Sequence, residues 1–161
     1  YIRKAILTNT VQGASMGLGG PVWTLAELPL FFTINYALIC QISVVCGYNP
    51  FTPQEEGFVL KLLEVGLTNK KNNFVNELET LIANAVANPP PTQIYDFNLA
   101  ITECDAAFQK LVLAKSAQAL PLVGLFAGLG LNWHLTRQIG YGTCKIFEHR
   151  MQIALKMQSP A

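Results

Sequence analysis

Apolar positions recur along this chain at helical spacing, and no stretch sustains the alternation of a strand. Residues 1–16 set Ile2, Ala5, Ile6 and Val11 among Arg3, Lys4, Asn9 and Gln12, a moderately amphipathic helical pattern. A glycine-rich turn follows at Gly17, Gly19, Gly20 and Pro21. Residues 22–47 are apolar on nearly every face, as a helix is when it lies at the centre of a core or in lipid. The sharpest boundary comes next. Thr52 can cap a helix, Pro53 suits its first position, and Glu55 stands where a capping-box carboxylate reaches back. The predicted helix runs through Phe58, Leu60, Leu62, Leu63 and Val65 to about Leu67, where the polar run 68–73 breaks it.

A further helix is predicted from Phe74 to Asn88, and Pro89, Pro90 and Pro91 then form a stiff extended connector. Residues 93–116 suggest another helix, broken near Thr102, followed by a second very apolar element over 117–133 and a long final helix carrying Leu135, Ile139, Cys144, Ile146, Phe147, Met151 and Leu155. The expectation is an all-α fold: a single compact domain over 1–161, six or seven helices, two very apolar central helices and a variable polar segment near 69–93. Both apolar elements contain a Leu-Pro-Leu step, at Leu28, Pro29 and Leu30 and at Leu120, Pro121 and Leu122, which on its own is weak support for a duplication.

Composition adds a setting to this pattern. Only 13% of the 161 residues are charged and 51% are apolar, with a mean hydropathy of +0.31, against about a quarter charged in ordinary soluble domains. A net charge of +1 without clustered Lys and Arg lacks the electrostatic footprint of a nucleic-acid binder. Cys40, Cys46, Cys104 and Cys144 lack CxxC spacing and read as buried reduced thiols. The first residues do not read as a secretory signal. The span 28–46 approaches the ~20 residues of a membrane helix, yet Pro29, Thr33, Asn35, Gln41, Ser43 and nearby Glu27 make spontaneous insertion marginal. The expectation is a helical hairpin inside a globule that docks on a membrane, with a plain soluble core and real insertion as the alternatives.

Polar chemistry is sparse. The strongest constellation is Glu27, Asn132, His134 and Arg150: a carboxylate on an apolar helix must pair, protonate or face water, and Arg150 or His134 could meet Glu27 if the two apolar elements pack together. A register-fixing polar clasp explains this set more simply than catalysis does, and ligand or lipid-headgroup contact is the remaining reading. No catalytic residues, cofactor or metal site is expected. HExxH is absent, and His134 and His149 fall about four turns apart on one helix. Gly13, Gly17, Gly19, Gly20, Gly124 and Gly128 read as hinge or close-packing positions, two pairs having GxxxG spacing. Trp23, Phe31, Phe32, Phe126 and Trp133 are the candidates for an apolar docking surface.

The order of certain motifs resembles the EcsC protein family. These are Gly17 to Pro21; Ala26, Glu27, Leu28 and Pro29; Cys46, Gly47, Tyr48 and Asn49 before the Glu55 and Glu56 helix start; Leu120 to Gly124; Gly128 to Asn132; Ile139 and Gly140; and Phe147 and Arg150. The match covers most of the chain apart from about 69–93, and it departs at Tyr36, where a basic residue is expected. The resemblance implies a bacterial transport or secretion setting beside an ABC transporter. Together with the low charge it leads to an expected function: a non-catalytic helical protein, peripheral or partly inserted at the cytoplasmic face of a membrane. Its partners would be that membrane and a larger membrane-protein complex, for which it serves as accessory subunit or docking partner. Two alternatives stand beside it. One is a lipid or hydrophobic small-molecule binder or hydrolase with a cleft near Gly124 to Gly130; the other is a soluble scaffold domain.

Overall fold

The computed structural model describes residues 1–17, 21–68 and 121–158, together with residues 80 and 109. These form four α-helices: α1 (Ile2–Gly17), α2 (Pro21–Val45), α3 (Pro53–Thr68) and α4 (Pro121–Gln158). The fold is all-helical, and no strand occurs among the described residues. Apart from residues 80 and 109, the helices expected within 74–116, the triproline connector and the polar segment near 69–93 lie outside them, as do Gly19, Gly20 and Cys104.

Local chemistry accounts for the helix ends. At the end of α2, Tyr48 N–H donates to the Ser43 carbonyl and Gly47 N–H to the Val44 carbonyl, both at 3.0 Å, the paired bonds of a Schellman stop. Gly47 takes φ +86°, a conformation a side chain would resist. The chain crosses to α3 through an Asn49 turn, where the Asn49 Oδ1 accepts from Phe51 N–H at 3.1 Å. Thr52 then caps α3 as its spacing predicts: its Oγ1 accepts from Glu55 N–H at 3.4 Å and its carbonyl from Glu56 N–H at 2.8 Å.

One expectation needs correction. The second apolar element and the final helix are one uninterrupted rod of 38 residues, about 57 Å long at ~1.5 Å per residue. No proline lies between Pro121 and Gln158, and α4 runs without a break through Gly128, Gly130, Asn132 and His134 despite their modest helix propensity. Of the two Leu-Pro-Leu steps, Pro29 sits inside α2, and Pro121 is the first described residue of α4.

The core lies where α2, α3 and α4 meet. Leu38, Ile39 and Ile42 pack with Phe58, Val59, Leu62, Leu63 and Val65 and with Ile139, Ile146 and Phe147. A smaller cluster places Phe31 against Leu135, flanked by Phe32, Leu67 and Leu131. The two clusters fix the level of α2 on α4: Phe31 stands beside Leu135, and Leu38 beside Ile139 and Gly140. At the crossing of α3 and α4, a Cβ on Gly66 would come within 2.5 Å of Ile139 Cγ1, so the small residue sets the approach. Gln138 Nε2 donates to the Gly66 carbonyl at 3.4 Å beside that contact.

Candidate functional site

Two of the polar residues that the sequence groups into one clasp, Asn132 and Arg150, belong to separate constellations along α4. Near its N-terminal half, Asn132 is fully buried and its Nδ2 donates to the Asn9 carbonyl at 3.0 Å. Asn9, also fully buried, sends its own Nδ2 to Thr136 Oγ1 at 2.8 Å. Asn9 faces inward because α1 turns Ile2, Ala5, Asn9, Gln12 and Gly13 away from water, with Arg3, Lys4, Leu7, Thr8 and Val11 outside. On α2, Asn35 is fully buried one turn beyond Phe31, whose carbonyl accepts from Asn35 Nδ2 at 2.8 Å. The Oδ1 atoms of Asn9 and Asn35 are buried without a protein hydrogen bond, and each is a place for a bridging water. The result is a layer of neutral amides and a hydroxyl between α1 and α4. It can fix helix register, but it contains no acid and base pair for proton transfer.

The second constellation is built around Arg150, about 27 Å further along α4 at ~1.5 Å per residue. Its Nη1 donates to Glu55 Oε2 at 2.9 Å and its Nη2 to Glu55 Oε1 at 2.5 Å, a bidentate fork. The guanidinium carbon lies 4.1 Å from the Tyr48 ring centre, 4.5 Å from that of Phe58 and 5.3 Å from that of Phe147. Glu55 is therefore more than a capping-box residue: its carboxylate is committed to α4. The loop after α2, the start of α3 and the end of α4 are joined at this one side chain. Arg150 is thus held by Glu55, far along the rod from Asn132, which corrects the single four-residue clasp. Glu27 lies in α2, but its side chain is outside the described residues, and His134 is half-buried.

The docking candidates separate in the same way. Phe31 is fully buried and Phe32 half-buried against the core, edge to face at 6.4 Å, so Phe31 is a core residue and not part of a surface. Trp133 is 43% exposed on the outer side of α4, with the Arg137 guanidinium 5.1 Å from its ring centre and 5.7 Å from that of Tyr141. The side chains of Trp23 and Phe126 lie outside the described residues, as does the packing around Gly17, Gly124 and Gly128; Gly13 is buried in α1.

A different surface emerges on α2. From Pro29 to Val45 the helix carries no Asp, Glu, Lys or Arg, and its outer side exposes Leu30, Thr33, Gln41, Val44 and Val45. Phe51, in the loop beyond, is 75% exposed. The outer side of α4 is the internal contrast, with Arg137, Lys145 and Glu148 between its apolar positions. Tyr36, which stands where the family pattern has a basic residue, is half-buried against the core, and burial first, then Cys40 beside it, pushes its phenol up to about 12. No positive charge replaces the missing one along this helix. A shallow groove of about 260 Å³ lies between α1 and α2.

Among the described residues, little could do covalent chemistry. Cys40, Cys46 and Cys144 are free thiols whose pKa values burial raises, leaving them protonated and weakly nucleophilic. Among the described residues no three His, Cys, Asp or Glu side chains gather as metal ligands do. Nor, among those residues, is any helix long and apolar enough to cross a membrane.

An uncharacterized protein, YdbA of Bacillus subtilis (strain 168), is 25% identical over 125 residues, which cover 76% of this chain and 45% of the relative. The chain thus spans about half the length of the curated relative it matches. No solved structure matches it. The profile of the EcsC protein family matches residues 1–151, taking in α1, α2, α3, the Asn132 layer and the Arg150 fork. The chain therefore belongs to the EcsC protein family.

Proposed function

We propose that this chain is a non-catalytic helical module that works peripherally at the cytoplasmic face of a membrane, as accessory subunit or docking partner of a larger membrane complex. Its docking face is the outer side of α2 together with the adjoining side of α1. The observation that carries the reading is the uncharged α2 surface from Pro29 to Val45, with Leu30, Val44 and Val45 exposed to 45%, 57% and 68%. Exposed apolar side chains on a helix face without charges suit an apolar counter-surface rather than water. Burying side chains of this kind contributes roughly 1.5–3 kcal/mol each when complete, and these are already partly covered. A face of this size fits reversible docking rather than permanent insertion.

The double variant Leu30→Lys with Val44→Lys tests the reading. Wild type should fractionate with native membranes, resist a salt wash and come off in mild detergent with its complex. The variant should appear in the soluble fraction with an unchanged circular dichroism spectrum. Wild type recovered as a free monomer without membranes would overturn the proposal.

A further inference from the structure

The groove between α1 and α2 has an apolar floor and one charge at its edge. Tyr1, with Lys4, Ala5 and Thr8 of α1 and Ile34, Ala37, Leu38 and Gln41 of α2, forms its walls. Ala5 and Ala37 are the two smallest side chains in these walls, one on each helix. Lys4 and Gln41 are exposed, and the groove runs beneath the same outer side of α2 that carries Leu30 and Val44. Its volume of about 260 Å³ falls just below the ~300–1,000 Å³ of pockets that enclose a whole small molecule. It suits a segment of a ligand whose remainder stays outside. Thr8 and Gln41 can hydrogen-bond ester or glycerol oxygens, and no carboxylate lines the groove to oppose an anion at Lys4.

We infer that this groove seats part of one acyl chain of an anionic membrane lipid, with the Lys4 ammonium against the head-group phosphate. The inference rests on the docking reading, because it makes α2 the surface that meets the bilayer and the groove the feature that selects among its lipids. Lysine suits such a boundary, since its stem lies along an apolar wall while its head reaches the polar edge. Phosphate carries the charge that a zwitterionic head group offsets and an anionic one does not. Docking should therefore be tighter on anionic than on zwitterionic bilayers, and the gain should depend on an open groove.

Two measurements on the full chain test this. In the first, wild type, Ala37→Leu, Lys4→Gln and the Leu30→Lys/Val44→Lys double variant are sedimented with vesicles of phosphatidylcholine alone or mixed with phosphatidylglycerol. In the second, the same proteins meet a short-chain phosphatidylglycerol kept below its micelle concentration, and adducts are read by native mass spectrometry. Wild type should prefer the anionic vesicles by about tenfold, the scale of one charged contact, and form a one-to-one adduct. Ala37→Leu and Lys4→Gln should each lose the preference and the adduct while keeping the binding to neutral vesicles. Full preference in either variant, or no adduct with wild type, would overturn the groove. A wild-type adduct without vesicle binding would support the groove and overturn the docking reading. The converse, vesicle binding without an adduct, would overturn the groove and leave docking standing alone.

Discussion

The guanidinium of Arg150 closes on both carboxylate oxygens of Glu55, 95 positions earlier in the chain, while three aromatic rings pack around it. Only 16% and 15% of the two side chains remain exposed, so water competes poorly for the pair. The contact joins a helix start that local signals specify to a helix end that they do not. Its geometry also explains why an arginine stands there: a lysine would keep the charge and lose both the fork and the flat stacking surface.

Glu55→Gln should lower the unfolding free energy by about 2–3 kcal/mol, chiefly by leaving a guanidinium partly buried without its counter-charge. Arg150→Lys should cost less, about 1–2 kcal/mol, since charge is retained. Urea denaturation of both variants checks this. Equal midpoints for wild type and Glu55→Gln would show that the pair is neutral to stability, as exposed ion pairs are.

The Asn132 contact to α1 is a separate support. Asn132→Ala removes the Nδ2 donor from the Asn9 carbonyl and opens a small space, which should cost about 1–3 kcal/mol. Asn9→Ala should cost a similar amount through Thr136, and because the residues share one network the double variant should lose less than the sum. A double-mutant cycle with no coupling would mean that the two amides act independently.

Stability should fall at strongly alkaline pH. Tyr36 in the folded chain titrates near 12 against an ordinary value of 10.0, so between these the unfolded phenol loses its proton while the folded one keeps it. The folded state loses stability through that window; below 10 the contribution is fully present. Tyr36→Phe should flatten the decline between the two values, with the raised thiols of Cys40, Cys46 and Cys144 leaving a residual slope of the same sign from their ordinary value of 9.0 upward. A wild-type midpoint that stays constant through this alkaline range would refute the assignment.

Sequence and structure agree most closely where one short stretch contains all the physics. The Thr52, Pro53 and Glu55 start of α3 was legible because a cap acts over a few residues. Clusters spread over the chain were less so. Asn9 looks like an ordinary polar residue of an amphipathic helix, yet it faces inward and partners Asn132. Phe31 and Leu30 are equally apolar neighbours; one is core and the other surface, because successive helix positions turn by about 100° and only the neighbouring helices decide which side is inside. The groove had no signal in the sequence, since its walls come from residues 1–8 and 34–41, which only the packing of α1 on α2 brings together.

What the sequence determined by itself is the helical class, the start of α3, the low charge of α2 and the family. Each follows from periodicity, capping chemistry or residue identity within a limited window. Tertiary structure alone decided that Arg150 answers Glu55, that Asn132 answers Asn9, and that the uncharged side of α2 is left open beside a groove. Such pairings depend on how far each helix runs and how it rotates against the others, and those quantities are set by packing the whole core at once.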